Sequence, residues 1–219
     1  MQAHIAHNLN IIQRRIADAA ARSGRNPTDV TLVAVTKTVG VDEIQALYDL
    51  GVRDFGENRL ESALPKIETL PKDICWHFIA PVQSRKTKDV VALFRIVEAV
   101  DRIKIAEALQ QLCEEHGKKL EILVEVNVTG EESKHGFSPD ELPEVVREMR
   151  PLDRLQLKGL MTMAPFDAPE DVIRNCFRRL NSLADEYALP QRSMGMTDDF
   201  EIAIEEGATQ VRIGRALFV

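Results

Sequence analysis

The sequence predicts an α/β fold, a single (β/α)8 barrel of the TIM type with an extra N-terminal helix, spanning residues 1–219 as one domain. Three observations predict it. Eight short strand-like segments recur along the chain, most followed by a helical pattern, and such alternation means parallel pairing through crossovers. No composition break, long linker, low-complexity tract or sequence-level repeat interrupts the series, which suggests a closed barrel. The rival, an open doubly wound sheet, wants a GxGxxG turn after its first strand, and none is present there.

The N-terminal stretch HIAHNLNIIQRRIADAAARSGR places Ile5, Leu9, Ile12, Ile16 and Ala20 at helical spacing, with Ser23-Gly24 as a stop. That pattern is an amphipathic helix and not the continuous apolar core of a signal peptide. The first strand covers residues 31–37, with an apolar run from Leu32 to Val35, and a helix follows over 41–50. VRDFGEN is the second strand, with a helix over 59–69. CWHFIA is the third, followed by 83–93, and RIVEAV the fourth, followed by 102–116. LEILVEVNV, the fifth, leads through a glycine-containing loop to a helix after Pro139. LQLKGLMTM is the sixth, with 170–187 behind it. RSMGM is a weak seventh, followed by 198–206, and QVRIG is the eighth, close to the last residue.

Composition narrows the function. A hydrophobic share of 44% with 29% charged residues is that of an ordinary globular protein. The net charge of -7 argues against nucleic-acid binding and against docking on anionic membrane. No apolar run approaches the roughly 20 residues of a membrane span. The three cysteines, Cys75, Cys113 and Cys176, are widely spaced and are expected as reduced thiols in a cytoplasmic protein. The five histidines form no HxxxH or HExxH pair, so no metal site is expected.

Binding and catalytic groups of such barrels gather at the C-terminal strand ends. Here those ends carry Lys37, Glu57-Asn58, His77, Asn127, Met161-Thr162, Ser193-Gly195-Met196 and Arg212-Gly214. Lys37 is either a solvated strand-end lysine or an amine held to react with an aldehyde or ketone. SMGMTDDFEIAIEEGA fits a phosphate site, with Gly195 allowing close backbone approach, Thr197 or Asp198 opening a helix, and Ser193 adding a hydroxyl. The acidic pair Asp198-Asp199 would repel a dianion and is expected to point outward. Gly214, in VRIGRALF, opens a final helix. Arg212 stands between Val211 and Ile213 on the opposite face, either in a structural ion pair or beside a heteroaromatic nitrogen. In the second case its permanent charge keeps that nitrogen unprotonated and weakens an electron sink. Asn58 caps the following helix or bonds a ligand. His77 reads as a satisfied interior histidine, and Lys134 as an exposed lysine or a second amine near the mouth.

In order along the chain, LVAVTKT, DFGENR, WHFI..QSRK, VNVT.EESKHGF, GLMTM, SMGMTDDFEIAIEEGAT and VRIGRALF resemble the pyridoxal phosphate homeostasis protein family, related to the N-terminal barrel of alanine racemase. The resemblance implies that Lys37 is the imine-forming lysine for pyridoxal 5′-phosphate. It matches Ser193, Gly195, Met196 and Gly214 to the phosphate-binding segments, Arg212 to the arginine at the pyridine nitrogen, and Asn58 and Thr162 to positions lining the cofactor. It further implies an intracellular carrier or buffer of the cofactor, able to supply apo-enzymes and to affect amino-acid and keto-acid balance, with no assigned catalytic residue; separately, a monomer is expected. The alternatives are a pyridoxal-phosphate racemase, whose second acid–base group would come from a further domain missing here, and a Schiff-base class I aldolase. Two departures stand out. Ala80-Pro81 replaces the usual glycine-histidine, removing a backbone donor, and the chain stops at Phe218-Val219, which shortens the last helix.

Overall fold

A computed structural model describes residues 2–131 and 134–219. Its eight strands form a closed, parallel barrel in sequence order: β1 Thr31–Val35, β2 Asp54–Glu57, β3 Cys75–Phe78, β4 Ile96–Val100, β5 Leu120–Glu125, β6 Leu155–Met161, β7 Gln191–Ser193 and β8 Gln210–Ile213. The helices are α1 Gln2–Arg22, α2 Val41–Asp49, α3 Leu60–Thr69, α4 Thr87–Leu93, α5 Ile103–Glu115, α6 Leu142–Met149, α7 Glu170–Glu186, α8 Phe200–Glu205 and α9 Arg215–Phe218. Short 3-10 turns, Ser84–Lys86 and Pro139–Glu141, precede α4 and α6. None of the described helices is long and apolar enough to cross a membrane.

α1 buries the five apolar residues its spacing singled out and lies against α2, α8 and α9. In a ring of helices, the place outside β8 falls between the helices that follow β7 and β1. α1 fills that place and packs against the four-residue α9. Asn8 ties the two together, its Nδ2 donating to Leu217 O at 3.3 Å and Val219 O at 3.2 Å.

Strand side chains alternate between the barrel axis and the helix layer. Phe55, Trp76, Val97, Ile122, Leu160, Val211 and Ile213 face outward into one continuous core. The axis holds a small apolar cluster, Ile96, Ala99, Leu123 and Met161, together with charged groups. A register shift between Val97 and Val100 marks a bulge in β4 that turns both Glu98 and Ala99 inward.

Five of the ladders, β1, β3, β5, β6 and β7, end two or three residues before the sequence pattern does. Residues 36–37, 126–128 and 194–196 continue past the strands to build the mouth, with the Thr36, Val126 and Met194 N–H groups still donating to the neighbouring strands. The weak seventh strand is the shortest, and its place depends on Gly159. A Cβ there would stand 2.0 Å from Gln191 O, so any side chain pushes β7 off β6. Gly159→Ala should lower stability by about 3 kcal/mol in urea unfolding; a loss below a third of that would show that β7 can shift freely.

Candidate functional site

The mouth is built on two buried ionic groupings. The first fixes the end of β1. Thr36 donates its N–H to Gly56 O at 3.0 Å and its hydroxyl to Glu57 Oε1 at 2.6 Å. Lys66, from α3, donates to the same carboxylate oxygen at 2.7 Å and to Thr36 O at 2.8 Å. Glu57 is fully buried and Lys66 is 7% exposed, so neither charge has water to rely on. Lys37 follows this anchor directly and stands exposed in a turn with Thr38. It lies two residues past Val35, the last residue of β1. Val33 Cγ1 sits 3.2 Å from where a Gly56 Cβ would be.

The second grouping runs along the axis. Arg212 of β8, paired in register with Val33, donates through Nη1 to Ser193 Oγ and through Nη2 to Thr162 O at 3.0 Å. Ser193 in turn donates to Glu98 Oε2 at 2.6 Å, and Glu98 lies 3.9 Å from Arg212. His77 Nδ1 meets Glu98 Oε1 at 2.6 Å and its Nε2 meets Asp54 Oδ1 at 3.0 Å. Burial works to lower the His77 pKa, but its bonds to Asp54, Cys75 and Glu98 outweigh this and hold it well above the ordinary value. Burial would raise Glu98, yet His77, Arg212 and Ser193 hold it below the usual carboxylate range.

The expected phosphate segment is more self-contained than its sequence suggested. Gly195 has φ +94°, and a Cβ there would lie 2.6 Å from Ala203 Cβ and 2.9 Å from Phe200 Cα, so α8 packs directly on it. Asp198 is exposed and pairs with Arg215 at 2.9 Å. Asp199 does not point outward as expected. It is half-buried and turns back to accept the Met196 N–H at 2.6 Å, a bond that closes the loop and delays the helix to Phe200. The N–H groups of Thr197 and Asp198 are left without a backbone acceptor among the described residues. Gly214 opens α9 with its missing Cβ 3.1 Å from Val35 O, which brings the β8 exit against the β1 exit.

Gly214 and Arg212 therefore line the β1–β8 side of the mouth, and Lys37 stands exposed two residues beyond the end of β1. Ser193's hydroxyl is instead buried in the axial chain. Thr162 gives the mouth its carbonyl, its own hydroxyl donating to Val126 O at 2.8 Å. Asn58 is half-buried and does not cap α3, whose N-cap is Arg59. Lys134 pairs with Glu131 at 2.9 Å, while Glu132 and Ser133 of the same motif lie outside the described residues. After Ala80-Pro81, Arg102 Nη2 secures the strand-three loop through Val82 O at 2.9 Å. Sequence reasoning missed Glu98, Lys66 and Glu125. Only the single acids within apolar strands signalled Glu98 and Glu125, and nothing separated Lys66 from a solvated helix lysine.

Residues 2–219 match the family model described as alanine racemase, N-terminal domain. The pyridoxal phosphate homeostasis protein of Pseudomonas aeruginosa is 42% identical over 98% of this chain and 94% of its own length; that of Aquifex aeolicus is 40% identical over 96% and 95%. Among solved structures, PipY of Synechococcus elongatus with PLP bound is 30% identical, with a TM-score of 0.81 over 93% of this chain and all of its own. Alanine racemase of Clostridium difficile shares the fold at 14% identity and a TM-score of 0.76, with this chain spanning 56% of it. The class is thus the alanine-racemase N-terminal barrel. Within that class, the chain belongs to the pyridoxal phosphate homeostasis protein family.

Two predictions follow from the buried charges. Lys66→Met leaves Glu57 buried without its cation and should cost about 3 kcal/mol or more, measured by urea unfolding; the double variant Lys66→Met/Glu57→Gln should recover part of it. Glu125 Oε2 is buried without a partner among the described residues, and burial, with Asp101 adding to it, raises this carboxyl's pKa. The folded state is then favoured most below the ordinary value of 4.5, and that advantage is lost as pH rises through the raised folded value. Glu125→Gln should leave acid stability unchanged and raise stability at about pH 8 by on the order of 1 kcal/mol. Equal effects at both pH values would refute this.

Proposed function

We propose that this protein binds pyridoxal 5′-phosphate at the barrel mouth and holds it covalently through Lys37, serving intracellular cofactor homeostasis as a carrier or buffer. The observation that carries this reading is the convergence of an exposed amine, a backbone-only approach at Gly214 and a buried guanidinium on the adjoining strands β1 and β8. The residues fit such a group. Lys37 Nζ supplies the amine for the aldehyde carbon, with water as the leaving group. The unpaired N–H groups after Met196 and those opening α9 suit a phosphate, and Asn58 offers a carboxamide at the same rim. PLP bound to the PipY relative supports the choice of ligand.

Arg212 sets the character of the site. Both its terminal nitrogens are engaged by Ser193 and Thr162, and guanidinium does not give up its proton. Opposite the pyridine nitrogen, a fixed cation keeps that nitrogen unprotonated and limits electron withdrawal. The site therefore favours holding the cofactor over carbanion chemistry, in line with release to apo-enzymes and an indirect influence on amino-acid and keto-acid balance by a monomer in the cytoplasm.

The test is the absorption spectrum of the protein loaded with pyridoxal phosphate. A yellow band that borohydride bleaches, leaving added mass on Lys37, is expected. Lys37→Ala should lose the band and bind the cofactor at least ~10-fold more weakly, without losing it altogether. Loss of all binding would place the phosphate elsewhere. Fast exchange of an amino acid's α-proton with solvent would instead favour a racemase.

A further inference from the structure

Opposite the mouth, the barrel axis carries a second cluster that the proposed function does not use. Asp54 and Cys75 open β2 and β3 and are paired in register, and His77 follows Cys75 on the same inward row. Asp54 Oδ1 lies 3.0 Å from His77 Nε2, and Cys75 Sγ lies 3.6 Å from the same nitrogen. All three ligand atoms fall within 4.8 Å of one another, the only such group among the described residues. We propose that Asp54, Cys75 and His77 form a binding site for a divalent zinc-class cation at the N-terminal end of the barrel, with solvent in the fourth position.

Four observations support the assignment. The first is spacing: a tetrahedral zinc with its usual bond lengths sets sulfur and nitrogen about 3.6 Å apart, and nitrogen and oxygen about 3.4 Å apart. The sulfur–nitrogen spacing already matches, and the carboxylate needs a shift of only a few tenths of an ångström. The second is donor type, since thiolate, imidazole and carboxylate are the donors zinc takes. The third is the far side of the imidazole, where Glu98 Oε1 holds Nδ1 at 2.6 Å. A carboxylate in that position fixes the ring and leaves Nε2 as the metal-facing atom. The fourth is access. The Asp54 side chain is 30% exposed and lines a cleft with Thr31, Leu32 and Arg53 at this face, while Cys75 is half-buried.

Charge also permits the exchange. Both ring nitrogens of His77 face carboxylates, so the imidazolium balances one of Asp54 and Glu98, and Arg212 balances the other. A dication displaces the Nε2 proton and the thiol proton, leaving the total buried charge unchanged. Sequence spacing gave no hint of this site, because its ligands come from two strands.

Titration of metal-stripped, full-length protein with Co2+ tests the proposal. A thiolate-to-cobalt band in the near ultraviolet, with visible bands of tetrahedral intensity, should saturate at one cobalt per chain and vanish on adding Zn2+. Cys75→Ala should abolish the thiolate band, and Asp54→Asn should weaken cobalt binding at least ~10-fold. Zn2+ should raise the melting temperature of the parent and not of Cys75→Ala. Circular-dichroism melting of Cys75→Ser, which keeps the side-chain size, verifies that loss of metal binding is not loss of fold. Absence of the band in the parent, its survival in Cys75→Ala or an unchanged affinity in Asp54→Asn would overturn the site.

Discussion

Glu98 is a carboxylate with no solvent exposure, set in the axis of a barrel whose apolar inward residues are Ile96, Ala99, Leu123 and Met161. Burying a lone carboxylate costs several kcal/mol even after relaxation, so the fold must surround it with donors. It does so with His77 on one oxygen, Ser193 on the other and Arg212 behind Ser193. The bulge in β4 aims Glu98 inward, and the short β7 delivers Ser193 at the same level. The guanidinium of Arg212 is thus oriented at the mouth by a carboxylate it barely touches. The imidazole of His77 is oriented at the other end by that same carboxylate. One buried anion positions the charged groups of both ends.

Glu57 plays the corresponding part outside the sheet. It faces the helix layer, and Lys66 crosses from α3 to satisfy both its charge and the Thr36 carbonyl. The strand end before Lys37 is therefore held from its outer side, while Val35 packs against Gly214 on its inner side. Two independent constraints fix the backbone at the point where the chain leaves the ladder. The lysine side chain beyond that point is left exposed.

Much of this architecture is legible in the sequence, and the illegible part has a physical cause. The N-terminal helix and all eight strands could be placed because burial on one or both faces imposes a local period. Several strand ends read too long because residues such as Thr36, Val126 and Met194 keep a hydrogen bond to the neighbouring strand beyond the regular pairing, and local propensity does not register where that pairing stops. The axial and outer ion pairs join residues with no periodic relation: His77 with Glu98, Glu98 with Ser193 and Arg212, Glu57 with Lys66. In RIVEAV the acid reads as the exposed face of a half-buried strand, although all five residues of β4 are buried. Gly195 was noticed as a glycine at a mouth, but the reason for it, the close approach of α8, belongs to tertiary packing. The cluster of Asp54, Cys75 and His77 was invisible for the same reason, since a ligand search along one chain segment cannot see two strands side by side.

The distribution of rigidity bears on the proposed role. Around the mouth, Arg212, Ser193, Thr162 and Thr36 are buried and hydrogen-bonded, whereas Lys37 is exposed. A catalytic lysine that must shuttle protons on a bound substrate gains from burial, which lowers its pKa and excludes water. A lysine that must capture an aldehyde from solution and return it gains from exposure, because both capture and release by water need access to the linked carbon. In the proposed role, the frame offers an oriented cation and backbone donors, and the exposed amine offers reversibility. Under the proposed function, that pairing of a fixed receptor with an accessible amine would favour holding over turnover.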